Sequence, residues 1–206
     1  MTRGAPPGVT KWLDRLSRTV YDHLVAPFLQ THDPLPKVAW GAAIGTFVGL
    51  TPTVGVQMYV VTALWALCRV ALRFRFNLTI GVAMVWITNP VTTIPFYYLF
   101  LQTGNLLLEP IGHEAVPISF AAFRAEVQEL ASGEPMGWLE WLVYATEVLA
   151  IEYGWPMIIG SLAWAIPGSV ISYPFTIVCL GRYRRYLARV QGLSYEAWRE
   201  RFESQQ

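Results

Sequence analysis

The sequence predicts an all-α, polytopic membrane protein built from proline-broken, re-entrant-type helical hairpins and a C-terminal transmembrane span. Its 206 residues are 54% apolar and only 14% charged, whereas about a quarter of the residues are charged in a soluble domain. Three stretches contain no charged residue: 38–68, 76–108 and 153–181. Each exceeds the roughly 20 residues that span a bilayer core. A large soluble core would seldom contain three such stretches, so the distribution of charge favours a membrane protein.

Residues 1–37 are predicted to form an amphipathic helix and a linker before the membrane domain. Apolar residues recur on one side from Thr10 to about Gln30. This spacing fits a helix that lies in the membrane interface or packs on its own protein. The region has charges throughout and no apolar centre, so we expect no cleavable signal peptide. We assign residues 38–190 to the membrane domain and 191–206 to a polar cytoplasmic tail.

The first charge-free stretch is expected to form a broken hairpin. Gly41, Gly45 and Gly49 recur every four residues and share one helix face, which lets another backbone approach closely. The pair Thr51-Pro52 follows, and the proline breaks the helix. The two arms would each be about 20–25 Å long, shorter than the roughly 30 Å bilayer core. Arms of this length suit a re-entrant hairpin.

Prolines also interrupt the other two stretches. Asn89-Pro90 divides the second stretch into two short arms. The third stretch contains Pro156, Pro167 and Pro174, which predict a kinked transmembrane span.

The segment 109–152 is acidic and is predicted to form two amphipathic helices. Ser119 is a candidate cap for the first helix. The second, 138–151, has paired tryptophans at one end, which is typical of a membrane interface.

Basic residues predict the orientation in the cytoplasmic membrane, because Lys and Arg prefer the cytoplasmic side. A hairpin over the first stretch keeps Lys37 beside the arginines of 69–75. The second stretch then crosses outward, 109–152 lies outside, and the third stretch returns the arginines of 182–189 to the cytoplasm. Both termini are therefore expected in the cytoplasm. A rival topology makes both early stretches re-entrant and leaves 109–152 cytoplasmic.

The candidate binding site consists of the polar residues at the two breaks. An unpaired amide is costly in hydrocarbon, so these residues either satisfy each other or line a site. Half-helix N-termini after the prolines would suit an anionic group. The candidates are Thr51, Pro52, Thr53 and Gln57 at the first break, and Thr88, Asn89, Pro90 and Thr92 at the second.

Two arginines are candidates for a lipid headgroup site. Arg69 and Arg73 are spaced one helical turn apart and would attract lipid phosphate at the cytoplasmic face, or would set topology alone.

No catalytic motif is visible, and we expect no cofactor or metal. An enzyme acting on a lipid-linked substrate would have Glu140, Glu147 and His113 as its candidates. No basic, aromatic-interleaved patch indicates nucleic acid.

The chain resembles a prokaryotic membrane family called domain of unknown function 2062. The resemblance covers roughly residues 35–190 and depends on GTFVGLTPTVGVQ (45–57), Asn77, WITNPVTTIPFYY (86–98) and Gly104. It returns weakly in IIGSLAWAIPGSVISY and the basic RYRRY that follows. The sequence departs from the family in Arg75-Phe76 and in its acidic segment. The resemblance implies membrane residence and broken helices, and it supplies no catalytic residue.

Two functional hypotheses follow. The first is transport or handling of a lipid or anionic amphiphile at the paired breaks. The alternative is a non-catalytic scaffold for an envelope-biogenesis enzyme such as a glycosyltransferase, because some family members are joined to glycosyltransferase or methyltransferase domains. The scaffold would use the glycine face or the helices of 109–152. The expected surroundings are the lipid bilayer, and an oligomer is left open.

Overall fold

The computed structural model describes residues 26–53, 55–89, 92–132 and 153–203. Within these ranges the chain forms helices and no strand, so the all-α prediction is confirmed. Residues 10–25 of the helix predicted from Thr10 to about Gln30, and the predicted helix 138–151, lie outside the described residues. The helices are α1 (Ala26–Gln30), α2 (Leu35–Gly49), α3 (Gln57–Val70), α4 (Leu78–Val85), α5 (Thr93–Leu108) with a 3₁₀ turn after it (Glu109–Ile111), α6 (Phe120–Ser132), α7 (Gly154–Val190) and α8 (Tyr195–Glu203).

Helices α2 and α3 form a hairpin that returns to the end where it began. After α3, the Asn77 N–H donates to the Lys37 carbonyl oxygen at 3.0 Å. The Phe74 ring lies 5.3 Å from the Trp40 ring, centroid to centroid. The arginines that follow α3 therefore lie at the same end of the molecule as Lys37.

Helix α4 runs parallel to α2 and packs directly on the glycine face. A Cβ added to Gly41 would lie 2.5 Å from the Asn77 carbonyl oxygen, and one added to Gly45 would overlap the Gly81 carbonyl oxygen. Gly49 meets the next turn, where a Cβ would lie 3.3 Å from the Cα of Val85. The absence of side chains at these glycines thus lets two backbones touch.

The second half of α7 is antiparallel to α2, with Gly168 near Leu50 and Gly181 near Leu35. Its Tyr173 ring is 5.1 Å from the Trp40 ring, and Arg184 reaches the residues before α2. Pro167 and Pro174 lie inside α7 and do not end it. Among the described residues, α7 is the one helix long and apolar enough to cross a membrane.

Helix α5 continues beyond the second break and crosses the first half of α7. A Cβ on Gly104 would overlap the Pro156 carbonyl, and one on Gly160 would overlap the Phe100 carbonyl. The loops after α5 therefore lie at the end opposite Lys37. Helix α6 packs beside α5 through Phe123, which is fully buried and lies 5.9 Å from the Tyr98 ring.

Three apolar clusters hold these helices together. Their buried members include Phe100, Leu101, Phe123 and Met157 between α5, α6 and α7; Val38, Ala42, Ile80 and Leu180 between α2, α4 and α7; and Val48, Val61, Phe76 and Val85 around the hairpin.

Candidate functional site

The two breaks of the chain meet at the carbonyl group of Gly49, the last residue of α2. The Thr88 hydroxyl donates to this oxygen at 2.8 Å, and Nε2 of Gln57 donates to it at 3.4 Å. The Thr88 hydroxyl also lies 3.2 Å from Oε1 of Gln57. Both side chains are buried, with 8% and 4% of their surface exposed. We call Gly49, Gln57 and Thr88 the break contact.

Side chains supply donors to the carbonyl groups at the first break. The last carbonyls of a helix have no partner within the helix. The Thr51 hydroxyl donates to the Val48 oxygen at 2.7 Å and lies 2.9 Å from the Thr53 hydroxyl. Gln57 donates a further bond, 3.2 Å long, to the Thr51 carbonyl oxygen. Gly55 adopts φ +89°, which lets the chain turn toward α3. Pro52 lies within this turn.

Asn89 caps the second break by a reciprocal pair of hydrogen bonds with Thr92. The Thr92 N–H donates to Oδ1 of Asn89 at 3.1 Å, and the Asn89 N–H donates to the Thr92 hydroxyl at 2.9 Å. This arrangement resembles a capping box. The Thr93 N–H donates to the Asn89 carbonyl oxygen at 2.8 Å. The amides of Thr92 and Thr93 are therefore occupied within the chain. Pro90 lies outside the described residues.

A family model described as "Uncharacterized protein conserved in bacteria (DUF2062)" matches residues 17–189. The chain belongs to this family. The match confirms the resemblance seen in the sequence, and it begins earlier than the quoted motifs do. No curated protein and no solved structure matches the chain.

The two arginines that were predicted to face lipid phosphate do not share a helix in this DUF2062 member. Helix α3 ends at Val70, and Arg73 adopts a left-handed conformation with φ +51°. The prediction that they lie one helical turn apart is wrong, because the chain must turn here to bring Asn77 back to Lys37. The Arg69 guanidinium carbon lies 5.1 Å from the centroid of the Trp65 ring. A headgroup role for each arginine stays a prediction.

A polar cluster around the buried side chain of Arg184, at the Lys37 end of this DUF2062 member, was not predicted from the sequence. Arg184 is only 4% exposed and donates from Nη2 to the carbonyl oxygens of Thr31 and Asp33, both at 2.9 Å. Nδ2 of Asn77 donates to Oδ2 of Asp33 at 2.6 Å, and Oδ1 of Asn77 caps α4 by accepting from the Ile80 N–H. We call Thr31, Asp33, Asn77 and Arg184 the Arg184 cluster. Two of its members, Asn77 and Arg184 in RYRRY, belong to the motifs that carry the family resemblance. Leu180, Arg184 and Ala188 are spaced four residues apart and are all buried on one face of α7.

The described residues contain no group of three or more His, Cys, Asp or Glu side chains that could hold a metal ion. His113 is exposed, and the carboxylates Glu140 and Glu147 lie outside the described residues. The catalytic alternative gains no site from this geometry.

Proposed function

We propose that this chain is a multi-pass protein of the cytoplasmic membrane that binds and moves a lipid or another amphiphile, an anionic one included. In this proposal the paired breaks are the place where the polar head passes the apolar layer. The observation that carries the proposal is the depth of the break contact along the apolar surface of α7.

A band of exposed apolar side chains on α7 marks the proposed bilayer. The band extends from Ile158 to Val178, a rise of about 30 Å, which equals the thickness of a bilayer core. Only 11% of the most apolar window of α7 is buried inside the protein, unlike the core helix of a soluble domain. The exposed members are Ile158, Trp164, Ile166, Val170, Ile171, Phe175 and Val178.

The break contact lies level with the middle of this band. A Cβ added to Gly168, halfway along the band, would be 3.0 Å from Cδ1 of Leu50, the residue that follows Gly49. Polar side chains at the centre of a membrane are costly, and they often mark the path of a substrate. Thr51, Thr53 and Thr92 at the two breaks are only half buried, so a ligand could reach their hydroxyls.

The distribution of charge supports the predicted orientation. The Lys37 end carries the arginines around Arg73 and those after Gly181, whereas the opposite end carries Glu109 and Glu114. The preference of Lys and Arg for the cytoplasm then assigns the Lys37 end to the cytoplasmic face.

The scaffold alternative loses one of its two surfaces. The glycine face of α2 is covered by α4 of the same chain, so a partner enzyme cannot pack on it. This observation favours the amphiphile proposal over the scaffold.

Reconstituted vesicles containing fluorescent phospholipid test the proposal. We expect Thr88→Val to slow movement of the lipid between leaflets about fivefold, because one hydrogen-bonding hydroxyl contributes about 1 kcal/mol. Thr62→Val is the matched control, since this exposed hydroxyl on α3 bonds only its own helix at Met58. Thermal unfolding verifies that both variants fold. Equal rates for wild type, both variants and empty vesicles would refute the proposal.

A further inference from the structure

A groove of about 420 Å³ lies between α5 and the extended segment that follows it. Its volume falls within the range of small-molecule sites, about 300–1,000 Å³. One wall is a stripe along α5, and the other is residues 115–118. The stripe consists of Tyr98, Gln102, Asn105 and Leu106 on α5, and it ends at Glu109 in the 3₁₀ turn after α5.

Asn105 fixes the second wall of the groove. Its Nδ2 donates to the Val116 carbonyl oxygen at 3.1 Å, and its Oδ1 accepts from the Val116 N–H at 3.2 Å. The side chain is 8% exposed and pairs with the segment as a neighbouring strand would. The Tyr98 hydroxyl adds a bond to the Ile118 oxygen at 3.4 Å. Specific contacts therefore fix the position of this wall relative to α5.

The charge of the groove indicates a cationic ligand. Glu109 is exposed and is the one charged residue among those that line the groove. A carboxylate forms strong, charge-assisted hydrogen bonds to an N⁺–H donor. Leu106 and Ile111 are 69% and 76% exposed beside it, so an apolar tail would find a surface next to the charged group.

The groove also lies at the depth of lipid headgroups, a step that rests on the membrane placement proposed above. Gly104 contacts Pro156, just beyond the Ile158 end of the apolar band. Glu109 follows Gly104 by about 8 Å along the helix axis, at a rise of 1.5 Å per residue. In the proposed placement it therefore lies outside the hydrocarbon core. We infer that this groove binds the primary-ammonium headgroup of a membrane lipid, with Glu109 as the partner of the ammonium group.

Lipid titration of the purified full chain tests this inference. Bound lipid is counted by native mass spectrometry with phosphatidylethanolamine, whose ammonium has N–H donors, and with phosphatidylcholine, whose quaternary ammonium has none. We expect wild type to prefer phosphatidylethanolamine by about fivefold, and Glu109→Gln to abolish that preference. Glu114→Gln is the matched control, because Glu114 is exposed nearby and does not line the groove. Glu109→Lys should shift the preference to the anionic phosphatidylglycerol.

The lipid preference of the variants, competition by free ethanolamine and the vesicle assay test different parts of the two proposals. An equal preference in Glu109→Gln and Glu114→Gln, or none in wild type, would overturn the inference. Competition by free ethanolamine at concentrations similar to the lipid would identify a soluble amine as the ligand and would also overturn it. The vesicle assay with Thr88→Val gives an independent result. If Glu109→Gln loses the lipid preference while wild type moves no lipid between leaflets, the groove inference stands and the transport proposal is rejected.

Discussion

Three buried polar side chains among the described residues bind backbone carbonyl groups at the two ends of α2. Gln57 and Thr88 donate to Gly49 at the end of α2, and Arg184 donates to the carbonyls of Thr31 and Asp33 ahead of the same helix. Gln57 and Thr88 supply donors to a carbonyl that lacks an intrahelical partner at the end of α2, and Arg184 supplies donors to loop carbonyls ahead of the helix. Single side chains therefore hold both ends of α2 against other elements.

Arg184→Gln tests this role at one end of α2. We expect the free energy of unfolding to fall by about 3 kcal/mol, because a buried charged donor with two acceptors is lost. Arg185→Gln is the control, since Arg185 is exposed and donates to Gly181 within its own helix. Thermal unfolding in detergent measures both variants. Equal unfolding midpoints for the two would contradict the assigned role of Arg184.

At the scale of helices, glycine determines which elements cross closely. The face of Gly41, Gly45 and Gly49 contacts α4, and the crossing of Gly104 with Gly160 joins α5 to α7. The first pair of helices is parallel and the second is antiparallel. Glycine thus allows close backbone contact in both a parallel and an antiparallel crossing.

Gly45→Ala tests the first crossing. Its new methyl group would overlap the Gly81 carbonyl, which belongs to rigid backbone, so we expect a loss of about 1–3 kcal/mol in the free energy of unfolding. Gly181→Ala is the matched control, because its methyl group would lie 3.6 Å from Cδ1 of Leu35 in ordinary contact. Alanine also favours a helix over glycine by about 1 kcal/mol, so this control should unfold at the same or a higher temperature. A Gly45→Ala protein as stable as wild type would contradict the packing.

At the scale of the whole molecule, the contacts between helices define two opposite ends of the domain. The hairpin, the start of α4 and the end of α7 meet at the Arg184 cluster, and the groove lies at the opposite end. The apolar band of α7 lies between the Arg184 cluster and the groove. The proposed orientation therefore applies to the complete domain and not to α7 alone.

Single-cysteine labelling in intact cells checks this orientation. In a background without Cys68 and Cys179, we expect Glu114→Cys to react with a membrane-impermeant maleimide, and Lys37→Cys and Arg75→Cys to react only after the cells are opened. The physical reason is that both basic sites lie at one end of the domain and Glu114 lies at the other. Labelling of Lys37→Cys and Arg75→Cys from opposite sides would overturn the hairpin placement.

The sequence was sufficient for the features that depend on local chemistry. Pro52 and the Gly41 face predicted a broken, closely packed α2. The polar residues Gln57 and Thr88 left two alternatives open, that the breaks satisfy each other or that they line a site. The structure places these groups together, while their role in binding stays a prediction.

Features that depend on distant partners were not visible in the sequence. Arg184 looks like its exposed neighbours, because the carbonyl groups that it binds belong to a loop more than a hundred residues away. The turn at Arg73 was missed because an arginine carries no preference for a left-handed backbone. The groove depends on the pairing of Asn105 with Val116, which only the fold brings together.

The hairpin of α2 and α3 also has a consequence for biosynthesis. In the proposed orientation the chain enters and leaves the membrane on the cytoplasmic side, and the turn between these helices, 50–56, carries no charge. The first strongly polar segment that must be translocated is therefore the acidic one after Leu108. Until α4 has been synthesised, the glycine face of α2 has no cover, so a nascent chain that stalls after α3 would expose that face to other membrane helices.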